Sequence, residues 1–436
     1  MRLGLSIGYS GAEMRLPLQR VKRAEQLGYD GVWTAEAYGS DAVTPLAFLA
    51  GQTSRIKLGT GIMQLAARTP ANAAMCAATV DALAGGGRFI AGLGVSGPQI
   101  VEGWYGQPWG RPYYRLADYV AIMRKIFRRQ APVSHDGREI ALPSTGEGAT
   151  GLGKPLKSIL HMNPEIPIYI GAGNEATVRL TAEICDGLLP LGLTPSSAHE
   201  YRPWIEEGFA RANKKGITKS FDNFVVTASV HVDINDDVTT ALARLKPEVA
   251  LYVGGMGHRS KNFHKDMMTR RGFGDAANRI QELYLAGQTE RIKLGTGIMQ
   301  LAARTPANAA MCAATVDALA GGGRFIAGLG VSGPQIVEGW YGQPWGRPYY
   351  RLRDYVSIMC KIFAREAPVS HDGTEISLPY TGDGATGLGK PLKSILHMNP
   401  KIPIVIGAGN QATVRLTAEI CDGLLPLGLT PSSAHE

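Results

Sequence analysis

An α/β fold with a parallel sheet, of the (β/α)8 barrel type, is what this sequence predicts, and three observations carry the prediction. Short apolar runs alternate along the chain with amphipathic helical stretches, the pattern left by βαβ units. Glycine supplies 55 of the 436 residues and gathers at the ends of those runs, not in a low-complexity tract. Such positions are where a backbone turns tightly or comes close to a ligand. Finally, Leu49–Glu200 recurs as Leu285–Glu436, so a block of 152 residues is present twice with 13 differences.

Taken in order, the first apolar run is Leu3–Gly8, followed by a helical pattern over Leu18–Leu27. Gly31–Glu36 and Ile56–Ile62 read as the second and third strands. The alanine-rich stretch Ala71–Leu83 reads as a helix, Phe89–Val95 as a strand and Leu116–Phe127 as a helix. Residues 106–164 are rich in proline and glycine, and a long irregular insertion in a compact domain is usually functional. Ile166–Gly173, the helix Glu175–Ile184, Asp186–Gly192, the helix Tyr201–Ala212 and Phe224–Ile234 complete the set. That makes seven strands before the duplication, where a closed barrel has eight. The next strand-like run, Ile292–Ile298, is the second copy of strand three. Either it fills the eighth slot with the remainder appended outside, or the second half-barrel competes with the first or exchanges between chains.

The repeat is too long for a solenoid unit of ~20–50 residues; it is a duplicated half-domain. Residues 1–288 are one barrel lacking its usual last strand, and 289–436 a near-identical copy of 53–200. The join falls in a shared phrase, Leu49–Thr53 and Leu285–Thr289, as recombination at a matching stretch would leave it. Arg124 has become Cys360 and Ser144 has become Tyr380, so the copies have diverged.

Composition narrows the function. The formal charge is +8, from 45 Lys+Arg against 37 Asp+Glu. The densest basic stretch, Arg124–Arg129, reads as an exposed helix face, and its copy replaces Arg128 with Ala364. No zinc finger, RNA-binding aromatic motif or basic zipper accompanies it, so no nucleic-acid partner is expected. No apolar run approaches the ~18–20 residues of a membrane span, and the opening MRLGLSIGYS lacks a signal-peptide pattern; a cytoplasmic protein is expected. Five scattered cysteines give neither a disulfide framework nor a zinc site. His258 and His264 lack a third ligand, so no metal is expected.

In a parallel barrel the ligand lies at the C-terminal strand ends. Those ends read Thr34–Tyr38, Gly59–Gln64, Gly92–Gly97 and Ile170–Glu175. Gly173-Asn174-Glu175 opens a helix, whose N–H groups and dipole suit an anion; glycines there are as often steric turns. Gly151–Lys157 brings Lys154 and Lys157 on a loop that either reaches the same anion or is simply solvated. Glu102–Gly106 joins an acid to Trp104 and Tyr105, which either stack on a planar ring or close the barrel top. The Gly92–Gly97 phrase lacks the GxSxG elbow, and no HExxH, EF-hand loop or full P-loop occurs.

These strand ends resemble the luciferase-like monooxygenase superfamily, more closely its actinobacterial branch that uses the deazaflavin coenzyme F420. The phrases that carry the resemblance are Thr34–Asp41, Arg68-Thr69-Pro70, Gly92–Gln99, Val101–Pro108, Thr150–Lys154, Ala182–Gly187 and Tyr252–Gly257. The resemblance implies a (β/α)8 TIM barrel with F420 (alternatively FMN) at its mouth and a hydride passing between the ring and a small organic substrate; a homo-oligomer is expected, with strand or half-barrel exchange as the alternative that the duplication opens. It implies a non-prolyl cis peptide at Gly61–Ile62. Cofactor-binding positions would be Ala37, Gly61, Ile62, Gln64, Val95, Ser96, Gly97, Lys154, Ala172, Gly173, Asn174 and Glu175. Sugar-phosphate dehydrogenases of the superfamily carry a glutamate where this chain has Gly97 and a histidine where it has Ala37. Glu36 and Glu102 are therefore the candidate catalytic acids. Because strands one, two and seven occur once, one complete site per chain is expected.

Overall fold

The structure is a computed structural model that describes residues 2–194, 197–234, 236, 263–270, 291–296, 298–319 and 322–426. His258, the phrase Tyr252–Gly257 and Gly297 lie outside the described residues. The first half runs β1 (Gly4–Gly8), α1 (Leu18–Gln26), β2 (Gly31–Thr34), α2 (Thr44–Ala50), β3 (Lys57–Thr60), β4 (Met63–Gln64), α3 (Pro70–Leu83), β5 (Phe89–Gly94), α4 (Pro98–Gly103) and α5 (Pro112–Arg128). It continues with β6 (His135–Asp136), β7 (Ala141–Leu142), β8 (Ile168–Ala172), α6 (Glu175–Ile184), β9 (Gly187–Pro190), α7 (Ala198–Asn213) and β10 (Val225–Val226). A helix α8 (Phe263–Arg270) follows.

The second half repeats the middle of this plan: β11 (Arg291–Gly295), β12 (Met299–Gln300), α9 (Pro306–Leu319), β13 (Gly322–Gly330), α10 (Pro334–Val337) and α11 (Pro348–Ala364). Then come β14 (His371–Asp372), β15 (Ser377–Leu378), β16 (Ile404–Ala408), α12 (Gln411–Ile420) and β17 (Gly423–Pro426). Helix starts follow local chemistry. Proline stands in the first turn of α3, where its missing N–H costs nothing, and the Thr69 hydroxyl caps that helix by accepting from Asn72 N–H at 3.3 Å. Asn174 does the same for α6, accepting from Thr177 N–H at 3.1 Å.

Two parallel sheets result. The larger has the order β1-β2-β3-β5-β8-β9-β10 with β4 against β5, and the smaller β11-β13-β16-β17 with β12 against β13. Among the described residues β1 and β10 are the edges of the first sheet, and β11 pairs with β13 inside the second sheet. The expected long strand Phe224–Ile234 is only Val225–Val226; Val230, Val232 and Ile234 are exposed. A run of alternating valines without a covering layer has nothing to hold it in register. The core of each half lies between its sheet and its outer helices. In the first it is built on Leu58, Phe89, Leu93 and Ile168 against Val80, Tyr119 and Met123; in the second on Phe325, Leu329 and Ile404 against Tyr355 and Met359.

Glycine is required inside this sheet at one position above others. A Cβ on Gly92 of β5 would lie 1.7 Å from the Thr60 carbonyl oxygen, because the Thr60 hydroxyl donates to Gly92 O at 2.8 Å and accepts from Gly92 N–H at 2.9 Å.

Candidate active site

The C-terminal ends of β2, β3, β5, β8 and β9 open into a cavity of about 930 Å³, within the range of small-molecule and cofactor sites. Glu36, Gly61, Ile62, Gln64, Val95, Ser96, Gly97, Ala172, Gly173 and Asn174 all line it, so ten of the residues picked from the sequence converge there. Trp33, Tyr169, Leu191 and His264 line it as well. Trp33 and Tyr169 stack with centroids 6.0 Å apart and form its inner wall. Burial pushes the His264 imidazole down to about 4, so it is neutral near pH 7.

The wall opposite the barrel interior is set by backbone geometry. The Gly61–Ile62 peptide is cis, at the position the resemblance implies. The Ile62 side chain projects against β5 and β8 where both are glycine: a Cβ on Gly94 would come within 2.8 Å of it and one on Gly171 within 3.1 Å. Ser96 adopts a left-handed conformation with φ of 56°, uncommon for a residue with a Cβ, and Trp109 Nε1–H donates to its carbonyl at 3.3 Å. The turn after β5 is thereby held in one shape.

Glu36 is the most heavily bonded group in the cavity. Its Oε1 accepts from Arg68 Nη1 at 2.8 Å and Gln64 N–H at 2.7 Å; its Oε2 accepts from Arg68 Nη2 at 3.0 Å and Ala42 N–H at 3.1 Å. Both members of this fork are buried. Burial works against the Arg68 charge, but attraction and hydrogen bonds from Glu36 outweigh it and raise the guanidinium well above its ordinary value. Four donors occupy the carboxylate, so Glu36 is built as an anchor for the loop after β2. Gln64, by contrast, donates through Nε2 to Glu36 O at 3.1 Å and leaves its buried Oε1 without a partner. A buried acceptor left open beside a cavity is suited to a ligand donor.

At the far end, α6 begins with Asn174 as cap, and the Val178 amide is bonded to the Asn174 carbonyl. The start of this helix borders the cavity end lined by Gly173, Asn174 and Thr177, and a helix N-terminus suits an anion.

The other sequence-chosen residues lie elsewhere. Ala37 is fully buried, and its carbonyl accepts from Tyr105 Oη–H at 3.2 Å. Glu175 is exposed and pairs with Arg179 one turn on. Glu102 is fully buried away from the cavity, and its carboxylate accepts from the N–H of Thr386 at 2.8 Å and its hydroxyl at 3.0 Å. Lys154 is exposed on the loop whose Gly153 N–H donates to Glu338 at 3.2 Å. Glu102 and Lys154 therefore belong to contacts between the two halves. Sequence reading missed Arg68 as the partner of Glu36, although the Arg68-Thr69-Pro70 phrase contains it, because the pairing spans 32 residues.

Among curated relatives, a Mycobacterium tuberculosis protein whose name provisionally assigns it to the coenzyme F420-dependent oxidoreductases (Rv3520c) is 47% identical over 292 residues, covering 66% of this chain and 83% of that one. The 5,10-methylenetetrahydromethanopterin reductase of Archaeoglobus fulgidus is 31% identical over 264 residues, 60% of this chain and 71% of its own. Of solved structures, an F420-dependent secondary alcohol dehydrogenase in complex with an F420–acetone adduct matches with a TM-score of 0.50 at 18% identity, covering 79% of this chain and 99% of that one, a likeness of fold. The profile of the luciferase-like monooxygenases matches twice, over residues 2–286 and again over 283–436. Cavity, strand-end glycines and both profile matches agree: this chain belongs to the luciferase-like monooxygenase family.

Proposed function

We propose that this chain is an oxidoreductase that uses coenzyme F420 to move a hydride to or from a small organic substrate. The observation that carries the reading is the convergence of Ile62, Gln64, Val95–Gly97 and Ala172–Asn174 on one cavity of about 930 Å³ at the strand ends. When bound, the deazaflavin supplies a carbon, C5, that accepts or donates a hydride. Ile62 would back one face of the flat ring, in the space that Gly94 and Gly171 leave to it. The open Gln64 Oε1 would accept from a ring N–H. The start of α6 would receive a phosphate, its amides and dipole replacing the lost hydration.

Glu36 lies at the cavity but keeps its carboxylate engaged by Arg68, Gln64 and Ala42, so it holds the loop beside the ring. Glu102 acts as a positioning residue, fixing α4, the helix that follows Val95–Gly97. The name of the Mycobacterium tuberculosis relative supports the choice of F420. The test is a titration of the purified protein with F420 and, separately, FMN, followed by ring fluorescence. Saturable F420 binding near one per chain is the expected result, since Glu36 and its strand occur once. FMN binding alone moves the function to a flavin monooxygenase, and no binding by folded protein leaves a barrel without its chemistry.

A further inference from the structure

The contacts between the two halves come in reciprocal pairs. Glu102 accepts from Thr386 at 2.8 Å, and its counterpart Glu338 accepts from Thr150, the counterpart of Thr386, at 2.5 Å. Tyr380 N–H donates to Glu102 O at 2.8 Å, and Ser144 N–H donates to Glu338 O at 2.9 Å. Trp104 Nε1–H donates to Met311 Sδ at 3.0 Å, and Trp340 Nε1–H to Met75 Sδ at 3.1 Å. Thr69 N–H reaches Ala303 O and Thr305 N–H reaches Ala67 O, each at 3.1 Å. Backbone packing repeats too: a Cβ on Gly103 would sit 2.1 Å from the Lys390 carbonyl, and one on Gly339 2.1 Å from that of Lys154. Arg68 and its counterpart Arg304 face one another in an antiparallel bridge, which puts them on the axis. A contact set in which i meets j and j meets i is the mark of an isologous two-fold interface, here made within one chain.

Among the described residues the symmetry is broken where the repeat meets the N-terminal segment, which has no copy. Ser394–Met398 dock on the first half: Ile395 N–H donates to Tyr38 O and His397 N–H to Ala12 O, both at 2.7 Å. The identical sequence Ser158–Met162 meets no second copy of that segment, because residues 1–48 occur once. Ile395 is 5% exposed and Ile159 is 93% exposed.

We propose that the repeat is a built-in partner subunit: it fills the face through which this barrel would pair with a second copy of itself, and the chain is a monomer. The association that the sequence suggested between chains is satisfied inside one. Sedimentation of the full chain at rising concentration tests it. A single species at 46.5 kDa is expected; a species of twice that mass, whether paired or exchanged through the repeat, overturns it. Amide exchange on the same sample supplies the second measurement. The amides of Thr150, Thr386 and Ile395, which cross between the halves, should exchange about 100-fold more slowly than those around Ile159. A monomer in which all exchange equally fast lacks the interface and overturns the proposal as well. Neither reading depends on F420.

Discussion

The Glu36–Arg68 fork concentrates two opposed charges in a buried place, and removing one member strands the other. Glu36→Gln should lower stability by about 3–5 kcal/mol, the usual consequence of an uncompensated buried charge, as read from the urea midpoint at constant slope. Pairing it with Arg68→Met should recover part of that loss, giving a coupling that separates the fork from the mere presence of each side chain. Gly92→Ala fails for another reason: the methyl group has only the Thr60 carbonyl to displace, and no soluble folded protein is expected on expression. Residue identities at the site were legible from the sequence because glycines at strand ends carry a backbone meaning. The partner of Glu36 was not, since a salt bridge between two strand ends depends on their register.

At the scale of elements, the halves clasp where α4 meets the loop after β15 and where the loop after β7 meets the end of α10. Thr386→Val removes a hydroxyl bond to the Glu102 carboxylate and should cost about 1.5–3 kcal/mol, measured by thermal or urea unfolding, with the amide bond left to hold the geometry. On the other side, burial alone would raise Glu338, but hydrogen bonds from Thr150 and Gly153 prevail and hold it below 4.5. A depressed carboxylate stabilises the fold above its unfolded value and loses that contribution as pH falls through the folded one. The stability profile should therefore drop as pH falls below 4.5, and Glu338→Gln should flatten that part of it. Long elements such as α5 and α6 could be read from periodicity, and α3 from its alanine content and the Thr69-Pro70 start. The short α2 and α4 could not: each is built around a first-turn proline and too few residues to show a period. Divergence between copies also follows the elements present. Tyr169 stacks on Trp33, whereas the repeat has no counterpart of Trp33 and carries Val405 at the matching position.

For the molecule as a whole, the sequence made the duplication plain and left its placement open. Strand pairing is a choice among neighbours, and near-identical strands present the same edge to the same partners. What separates the two outcomes is the outer face: Trp104 and Trp340, in the turns after α4 and α10, reach Met311 of α9 and Met75 of α3, a complementarity invisible until both halves are folded. Two substitutions of the same kind then have unlike results. Ile395→Asp buries an unpaired charge and should cost about 2–4 kcal/mol, while Ile159→Asp should leave the urea midpoint within about 0.5 kcal/mol of wild type.

That contrast bears on the chain's history. None of the 13 differences between the copies falls in residues 148–164 or their counterparts, although Ile395 lies under another part of the protein and Ile159 is exposed. The two stretches have different surroundings, yet they still read alike. Sister lineages that inherited the fusion should show Ser158–Met162 drifting toward polar residues while Ser394–Met398 stays fixed, so the first loop would serve as a clock for how long the halves have been joined.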